Sequence, residues 1–432
     1  MGSAADFSVA ERKKFQRNAT FSAWFGCVSE QLLDSNSLII LYLITLGGDE
    51  SFSMFSTSLS ALCGIFLIIP CAGLASKIGL RPSYSISCYA SCGAFLLMAA
   101  APSLVPEAYA KYLVIASCLV FCLMRFPYSV AWYPMLDMIL TPEERGGFFG
   151  KMRFSYILIN AGFIYVIGKI LGDQPSILMM QLIIAFAGVM CLGRKFCMDR
   201  MPDNPEVKQN KLEIRKGLGI AIRNTPLVGY SFYICLFSTV TASIMPLSVI
   251  YMKTRLNFSA ETIMTITSLF MVGQLTGYAL TGIAMRKMGN CLFQITMHTI
   301  FAIVAGCMMM IRPETVYAQY YMAILLWMLG IGGSFSLCLN STEMLACAKP
   351  GNKIMATSFC QTFTNLGAAI ARTGTTLVLA SGALAADWKF FGIPMTCYNF
   401  LFMFFFFMVI FFYTLLIISP AVISKHDDYY EP

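Results

Sequence analysis

The chain has 432 residues, of which 58% are hydrophobic and only 12% are charged. Its mean hydropathy is +0.70, and an ordinary soluble domain carries about 25% charged residues. The polar surface is too small to cover a water-soluble globule, which excludes a soluble enzyme. At about 35 residues for one membrane helix with its loop, the length predicts about twelve passes.

Metal, cofactor and nucleic-acid chemistry find little support in the sequence. The 16 cysteines are scattered, mostly in apolar segments, and the only histidines are His298 and His426. No Cys-x-x-Cys pair, ligand-spaced Cys/His set or P-loop is present, so we expect no metal, no cofactor and no ATP-driven step. The net charge of +8 is not gathered into one basic face, which argues against a nucleic-acid partner. The polar segment Met1 to Arg17 does not have the pattern of a cleavable signal peptide.

Apolar runs long enough to span a bilayer predict twelve helices. They cover about 19–46, 51–75, 82–102, 108–138, 153–172, 174–193, 226–250, 260–284, 291–311, 316–345, 355–380 and 395–419. With the N-terminus inside, cytoplasmic segments hold twenty-two Lys and Arg residues, among them Arg194, and outer segments hold six. The positive-inside rule therefore predicts a multi-pass plasma membrane protein with both termini cytoplasmic.

A long polar stretch between the sixth and seventh spans divides the chain. We expect an N-terminal bundle over 1–193, a cytoplasmic linker over 194–225 and a C-terminal bundle over 226–432. Within the linker, Leu212, Lys216, Leu218 and Ile222 are compatible with an amphipathic helix at the membrane surface, and equally with a solvated linker.

The two halves repeat each other where the second span of each half turns into the third. Residues 72–81, AGLASKIGLR, correspond to residues 282–290, GIAMRKMGN. In each turn a glycine, Gly79 or Gly289, can supply unusual backbone geometry, and basic residues hold the loop inside. A six-plus-six repeat enclosing a midplane site is a transporter architecture.

On these residues the sequence resembles the major facilitator superfamily over essentially its whole length. Leu74, Lys77, Gly79 and Arg81 match the loop motif of that family, whereas Ala72 and Ser76 replace its first glycine and its aspartate. The resemblance implies an all-α membrane protein with twelve helices in two six-helix bundles. It also implies a cytoplasmic gate latch, for which the candidates are Lys77, Gly79, Arg81, Asp137, Arg145, Arg286 and Glu343.

Two acids lie near the middle of the first span. Glu30 and Asp34 are four residues apart, so they share one helical face. Two carboxylates in a partly dry cavity are costly to ionise together, which makes the pair a candidate proton carrier, although hard oxygen ligands would also serve sodium. Arg125 in the fourth span matches an arginine of the family, and the resemblance implies a proton-coupling pair between it and an acid on the first span. The alternatives are a permanent ion pair for Arg125 and simple hydrogen bonding for the acids.

Arg372 in the eleventh span is the first candidate for holding an anionic substrate group, because its planar fork suits a carboxylate, phosphate or sulfate. Helix packing or snorkelling to the surface is the alternative. Neutral polar and aromatic residues complete a candidate binding cavity: Tyr156, Asn160, Tyr230, Tyr233, Gln274, Trp327, Gln361 and Asn365. Each of these is individually more often a helix-helix contact.

The sequence therefore predicts a secondary active transporter that takes up a small polar metabolite, a sugar or an organic anion, with protons by alternating access. We expect it to act as a monomer in the lipid bilayer. One alternative is proton-driven efflux of hydrophobic or cationic compounds, and another is a receptor or scaffold that does not transport. The burial of Glu30, Asp34 and Arg125 argues against the last of these, because charges inside a membrane are costly.

Overall fold

The computed structural model describes residues 7–34, 37–140, 142–173, 175–202, 211–348, 353–382 and 388–418. These residues fold almost entirely into helices: α1 Val9–Asp34, α2 Ser37–Thr45, α3 Glu50–Ile78, α4 Leu80–Leu104, α5 Glu107–Asp137, α6 Pro142–Leu171, α7 Ile177–Met198, α8 Lys211–Ile222, α9 Thr225–Thr241, α10 Ile244–Thr254, α11 Ala260–Met308, α12 Ala318–Ala346, α13 Lys353–Ser381 and α14 Cys397–Ile418. The predicted helical membrane fold is thus confirmed.

A short hairpin between α13 and α14 is the exception in the described residues. Strands β1 (Trp388–Phe390) and β2 (Ile393–Met395) are antiparallel, with Trp388 opposite Met395 and Phe390 opposite Ile393. Phe391 and Gly392 in the turn both have positive φ, 49° and 81°. That combination is typical of a two-residue hairpin turn.

Several helices begin at caps that the local sequence supplies. At the start of α1 the hydroxyl of Ser8 donates to Glu11 over 2.7 Å, and the Glu11 amide lies 3.3 Å from that same hydroxyl. Ser176 and Ser259 accept hydrogen bonds from the amides of Met179 and Thr262. Each cap satisfies an amide that has no partner within its helix, which fixes where the helix begins.

Ten helical segments in the described part of the chain are long and apolar enough to cross a membrane. One of them runs over Thr225–Thr254 and combines α9 with α10, and α11 provides two that join at Gly289. The two remaining predicted spans lie in α1 with α2 and in α13. Helices α1 and α13 carry many polar residues, and α2 is apolar but only 9 residues long. Large apolar side chains such as Phe66, Leu178 and Leu182 are more than half exposed, as expected for helices in contact with lipid.

The chain divides into two compact units that differ from the predicted bundles in two segments. The first unit contains Met1–Gly48, Phe66–Phe163 and Pro175–Ile214, and the second contains Asp49–Ile65, Ile164–Gln174 and Arg215–Pro432. One end of α3 and one end of α6 thus group with the second unit, although the sequence placed both helices in the N-terminal bundle.

In the first unit, α4 packs against α5 and α7, and α7 packs against α1. Tyr84, Tyr128 and Met198 belong to one buried cluster at this junction. A β-carbon at Gly188 would lie only 2.8 Å from the β-carbon of Phe95, so this glycine lets α7 approach α4 closely. The packing fixes the faces of α1, α5 and α7 that point into the unit.

In the second unit, the two halves of α11 pack against α12, and α9 packs against α13. Gly273 and Gly330 lie where α11 and α12 meet, and a β-carbon at either would overlap the backbone of the other helix. These glycines therefore allow α11 and α12 to pack closely.

Part of the linker between the halves is helical. Helix α8 covers Lys211–Ile222, and Arg215 and Lys216 are exposed. The sequence was compatible with an amphipathic helix or with a solvated linker, and the structure has a helix at these residues.

Candidate functional site

The centre of the candidate site is an ion pair inside the first unit. Glu30 lies one turn before the end of α1, and its Oε1 is 2.5 Å from Nη1 of Arg194 on α7. The Glu30 side chain is 23% exposed and that of Arg194 is 10% exposed. Removing one partner of such a buried pair typically costs about 3–5 kcal/mol, because the other charge is left uncompensated.

The position of Arg194 corrects the sequence analysis, which counted this residue among the cytoplasmic loop cations. Helix α7 continues to Met198, and Arg194 is 8% exposed within it. The apolar run breaks at Arg194, but Phe196, Cys197 and Met198 continue the helix past the charge. A sequence criterion that ends a span at its first charged residue therefore misses this one.

Two further residues shape the place that the guanidinium occupies. A β-carbon at Gly26 on α1 would overlap the Nε, Cζ and Nη2 atoms of Arg194. On another side, the Arg194 Cζ lies 4.0 Å from the ring centre of Tyr128 on α5, in cation-π geometry. In the described residues the Nε of Arg194 has no hydrogen-bond partner. The guanidinium is thus held by one carboxylate and one aromatic ring, next to a glycine.

Arg125, the arginine that the family resemblance pairs with an acid, lines the same small cavity. Glu30, Arg125 and Arg194 share it with Ser87, Cys88, Ser91, Phe121 and Cys191. Arg125 is close enough to Glu30 to interact with it electrostatically, and Glu30 accepts a hydrogen bond from Arg194. Asp34 is the last residue of α1, and its side chain lies outside the described part of the structure.

Tyr156 and Asn160, predicted to line a binding cavity, lie on α6 in the first unit. Asn160 is 1% exposed, and the Tyr156 carbonyl accepts a weak hydrogen bond from Cys27 on α1. Trp24 on α1 donates to Ser155 over 2.8 Å. This stretch of α6 therefore packs against α1.

Arg372 makes hydrogen bonds to main-chain carbonyls in the second unit. Its Nη1 donates to the carbonyl of Thr57 on α3 over 2.6 Å, and its Nε donates to the carbonyl of Ala242 over 3.3 Å. Ala242 is the residue at which α9 ends before α10 begins. On the same helix, Gln361 is exposed, and Asn365 packs where a side chain at Gly64 would be.

Tyr233 belongs to a buried polar and aromatic cluster in the second unit. Its hydroxyl lies 2.7 Å from Nε2 of His298, and the ring of Tyr230 lies 5.6 Å from that of Tyr233. The Tyr230 hydroxyl donates to Asn340 on α12 over 2.7 Å. The sequence analysis considered His298 only as a metal ligand, although a histidine inside an apolar run was itself a signal of a buried polar contact.

Gln274 and Trp327, the remaining candidates for substrate binding, lie where α11 and α12 pack together. The Gln274 carbonyl accepts a hydrogen bond from Ser334, and Trp327 is 36% exposed. The backbone of Trp327 contacts Gly273. These candidates thus lie near one helix-helix contact, and their role in binding stays a prediction.

Of the predicted latch residues, Gly79 and Arg81 are the best described. Gly79 has φ 92° before α4, and Arg81 donates to the carbonyl of Asp199, just after α7, over 2.9 Å. Arg286 is exposed and Glu343 is buried, whereas the side chains of Lys77, Asp137 and Arg145 lie outside the described residues.

Asp199, which the sequence analysis did not identify, lies at the end of α7 next to Arg81 and accepts several hydrogen bonds. Lys195 and the Tyr84 hydroxyl both donate to its carboxylate, over 2.5 Å and 2.8 Å. Partial burial by itself raises the pKa of Asp199, but these two hydrogen bonds outweigh it and hold the pKa below its usual value.

Membrane-spanning helices, an internal repeat and a buried ion pair define a polytopic transporter. The Major Facilitator Superfamily profile matches residues 20–372, and the chain belongs to that family. No curated protein matches the chain at a significant level of sequence similarity.

Solved transporter structures share the fold. The nucleoside transporter NupG (D323A mutant) is 13% identical, with a TM-score of 0.70 over 94% of this chain and 99% of that one. The xylose transporter XylE from E. coli is 12% identical, with a TM-score of 0.70 over 95% and 98%. A POT family transporter in complex with 5-aminolevulinic acid is 11% identical, with a TM-score of 0.70 over 95% and 96%.

Proposed function

We propose that this transporter is secondary active, and that it takes up a small polar metabolite together with protons by alternating access. The observation that carries the proposal is the buried Glu30, paired with Arg194 and facing Arg125 across one small cavity. A carboxylate at this depth can bind a proton, whereas the two arginines keep their charge. Protonation therefore changes the net charge of the cavity.

The arrangement of the second unit supports alternating access. Residues 50–65 of α3 and 164–171 of α6 come from the first half of the chain, yet they pack with the second half. Lys169 pairs with Glu261 over 2.5 Å, and Arg255 lies 3.8 Å from Glu50. These ion pairs join helix ends that would separate when the other side of a transporter opens.

The contacts of Arg372 bear on the class of substrate. Its Nη1 and Nε already donate to carbonyls, so these hydrogen bonds compete with an anion for part of the guanidinium. We therefore propose that the substrate is a small polar metabolite, which need not carry a negative charge. The uptake test accordingly includes both sugars and organic anions.

The experiment is an uptake screen with purified protein in proteoliposomes, using radiolabelled sugars and organic anions. Each compound is tested with an inward proton gradient, with an inward sodium gradient and with neither. Accumulation that requires the proton gradient supports the proposal. Accumulation that requires sodium instead reassigns the coupling ion, and outward movement driven by the proton gradient supports efflux.

A matched pair of variants tests whether Glu30 is the residue that couples proton movement to transport. Glu30→Gln keeps the shape of the side chain but cannot carry a proton, so it should abolish accumulation and leave exchange at equal concentrations. Glu107→Gln makes the same change at an exposed position at the start of α5 and should behave as the parent protein. Undiminished proton-driven accumulation in Glu30→Gln would contradict the assignment.

A further inference from the structure

We propose that Arg194, rather than Arg125, is the immediate counterion of Glu30 in proton coupling, and that Gly26 is the residue that positions it. The inference rests on the proposed function and assigns the partner within the same site. It departs from the family resemblance, which places the partner in the fourth span.

The first observation is the contact itself. Arg194 Nη1 lies 2.5 Å from Glu30 Oε1, and both residues belong to helices of the first unit that pack directly, α1 and α7. Arg125 on α5 reaches the same cavity and interacts with Glu30 electrostatically. An arginine does not lose its proton in a protein. Binding a proton to Glu30 therefore leaves Arg194 as a buried cation whose hydrogen-bonded carboxylate has been neutralised.

The second observation is the place in which Arg194 lies. The guanidinium crosses α1 at Gly26, the residue one turn before Glu30, where any β-carbon would overlap it. On another side the guanidinium lies over the face of Tyr128, and its Nε has no hydrogen-bond partner in the described residues. The aromatic face attracts a cation without fixing its direction. We therefore expect the guanidinium to shift when Glu30 becomes neutral, because the hydrogen bond that directs it then loses its negative charge.

The other groups near Glu30 carry no second fixed negative charge among the described side chains. Titratable or charged groups that face it from the packed helices are Arg194 and Cys191 of α7, Arg125 and Tyr128 of α5, Cys88 of α4 and Cys27 of α1. The thiols and the phenol are neutral at physiological pH in such surroundings. Among these groups, the two arginines therefore carry the charges that influence the protonation of Glu30.

The test measures protonation of Glu30 without requiring a substrate. Dicyclohexylcarbodiimide is an apolar reagent that reacts with protonated carboxyl groups and leaves an adduct. The full-length protein in proteoliposomes is incubated with this reagent at a series of pH values, and the adduct on the Glu30 peptide is quantified by mass spectrometry. Circular dichroism at each pH shows where the protein is folded.

In the parent protein, we expect Glu30 to react in acid while the protein is folded, with little reaction at neutral pH. Arg194→Gln should move the midpoint of the reaction to higher pH by about one to three units, the effect of a close opposite charge. Arg125→Gln should move it by clearly less, and Arg194→Lys, which keeps the charge, should remain closer to the parent than Arg194→Gln.

Gly26→Ala provides a second variant that leaves both charges in place. Its β-carbon displaces the guanidinium, so the midpoint should again rise. Gly93→Ala is the matched control, because a β-carbon there has no atom within 4 Å. It should leave the midpoint unchanged.

Two results would overturn the proposal. The first is a midpoint that moves as far or further in Arg125→Gln than in Arg194→Gln. The second is a parent protein in which Glu30 never reacts while folded, because the pair would then be permanent and structural. Both results are measured on Glu30 alone, whereas proton-driven uptake is measured separately in the substrate screen, so failure of this proposal and failure of the proposed function are distinguishable.

Discussion

Gly79 and Gly289 occupy equivalent places in the two halves of the chain and have nearly the same backbone conformation. Their φ and ψ angles are 92° and 165° for Gly79, and 71° and 167° for Gly289. Positive φ with extended ψ is a region essentially restricted to glycine. The repeat that the sequence shows at residues 72–81 and 282–290 is therefore also a repeat of backbone geometry.

Replacing either glycine should destabilise the fold. We expect Gly79→Ala and Gly289→Ala each to cost about 1–3 kcal/mol, because alanine is strained in this conformation. Thermal unfolding in detergent is the measurement. Gly93→Ala, within α4 and with open space around its β-carbon, is the control and should be neutral or slightly stabilising. Equal unfolding midpoints for all three variants would contradict the prediction.

The pair Lys169 and Glu261 should show an energetic coupling between α6 and α11. Glu261 also donates its amide to the carbonyl of Gly172 over 3.1 Å, so the two helix ends touch at both side chain and backbone. Lys169→Glu should destabilise the protein by like-charge repulsion, and adding Glu261→Lys should recover the lost stability. The expected coupling is small and favourable, as is usual for exposed ion pairs. A double-mutant cycle of thermal stabilities measures it, and strictly additive effects would show that the pair contributes nothing.

Tyr233→Phe should cost more than its small change in volume implies. The substitution leaves Nε2 of His298, a residue that is 1% exposed, without the hydroxyl that lies 2.7 Å away. An unsatisfied buried polar group costs about 1–3 kcal/mol. The same change at Tyr109, which is 63% exposed, is the control and should have little effect. If both variants unfold at the same temperature as the parent, the hydrogen bond does not contribute to stability.

The stability of the folded protein should depend on pH through Asp199. Its pKa in the folded protein is lower than in the unfolded chain, so the carboxylate stabilises the fold at neutral pH. That contribution is fully present above the unfolded value of about 3.9 and is lost as the pH falls through the lower folded pKa. Asp199→Asn should therefore be less stable than the parent at pH 7, with a difference that narrows in strong acid. Chemical unfolding at a series of pH values tests this, and a constant difference would count against it.

The sequence predicted the features that depend on composition and on repeats. Membrane helices follow from apolar runs, and the loop glycines follow from the echo of residues 72–81 in residues 282–290. Glu30 was identifiable because a carboxylate within an apolar run is costly and needs a partner. For these features, the type of residue at a position is enough to limit its possible conformation or environment.

The partners of the buried charges could not be predicted in the same way. Arg194 looked like a loop residue because a lysine follows it, and only the packing of α7 on α1 shows that it is buried. His298 needed Tyr233, which is 65 residues earlier in the chain. Such contacts depend on which helix faces turn toward each other, and hydropathy along the chain does not contain that information.

Arg372 donates to main-chain oxygens at Thr57 and Ala242. Every amino acid carries such an oxygen, so substitutions at residues 57 and 242 that preserve the helix paths would preserve both hydrogen bonds. A comparison of homologous sequences should therefore find no position that covaries with Arg372 through these bonds. Mutational scanning should likewise find that loss of these hydrogen bonds follows substitution of Arg372, whereas substitutions at Thr57, which is 1% exposed, are limited by packing.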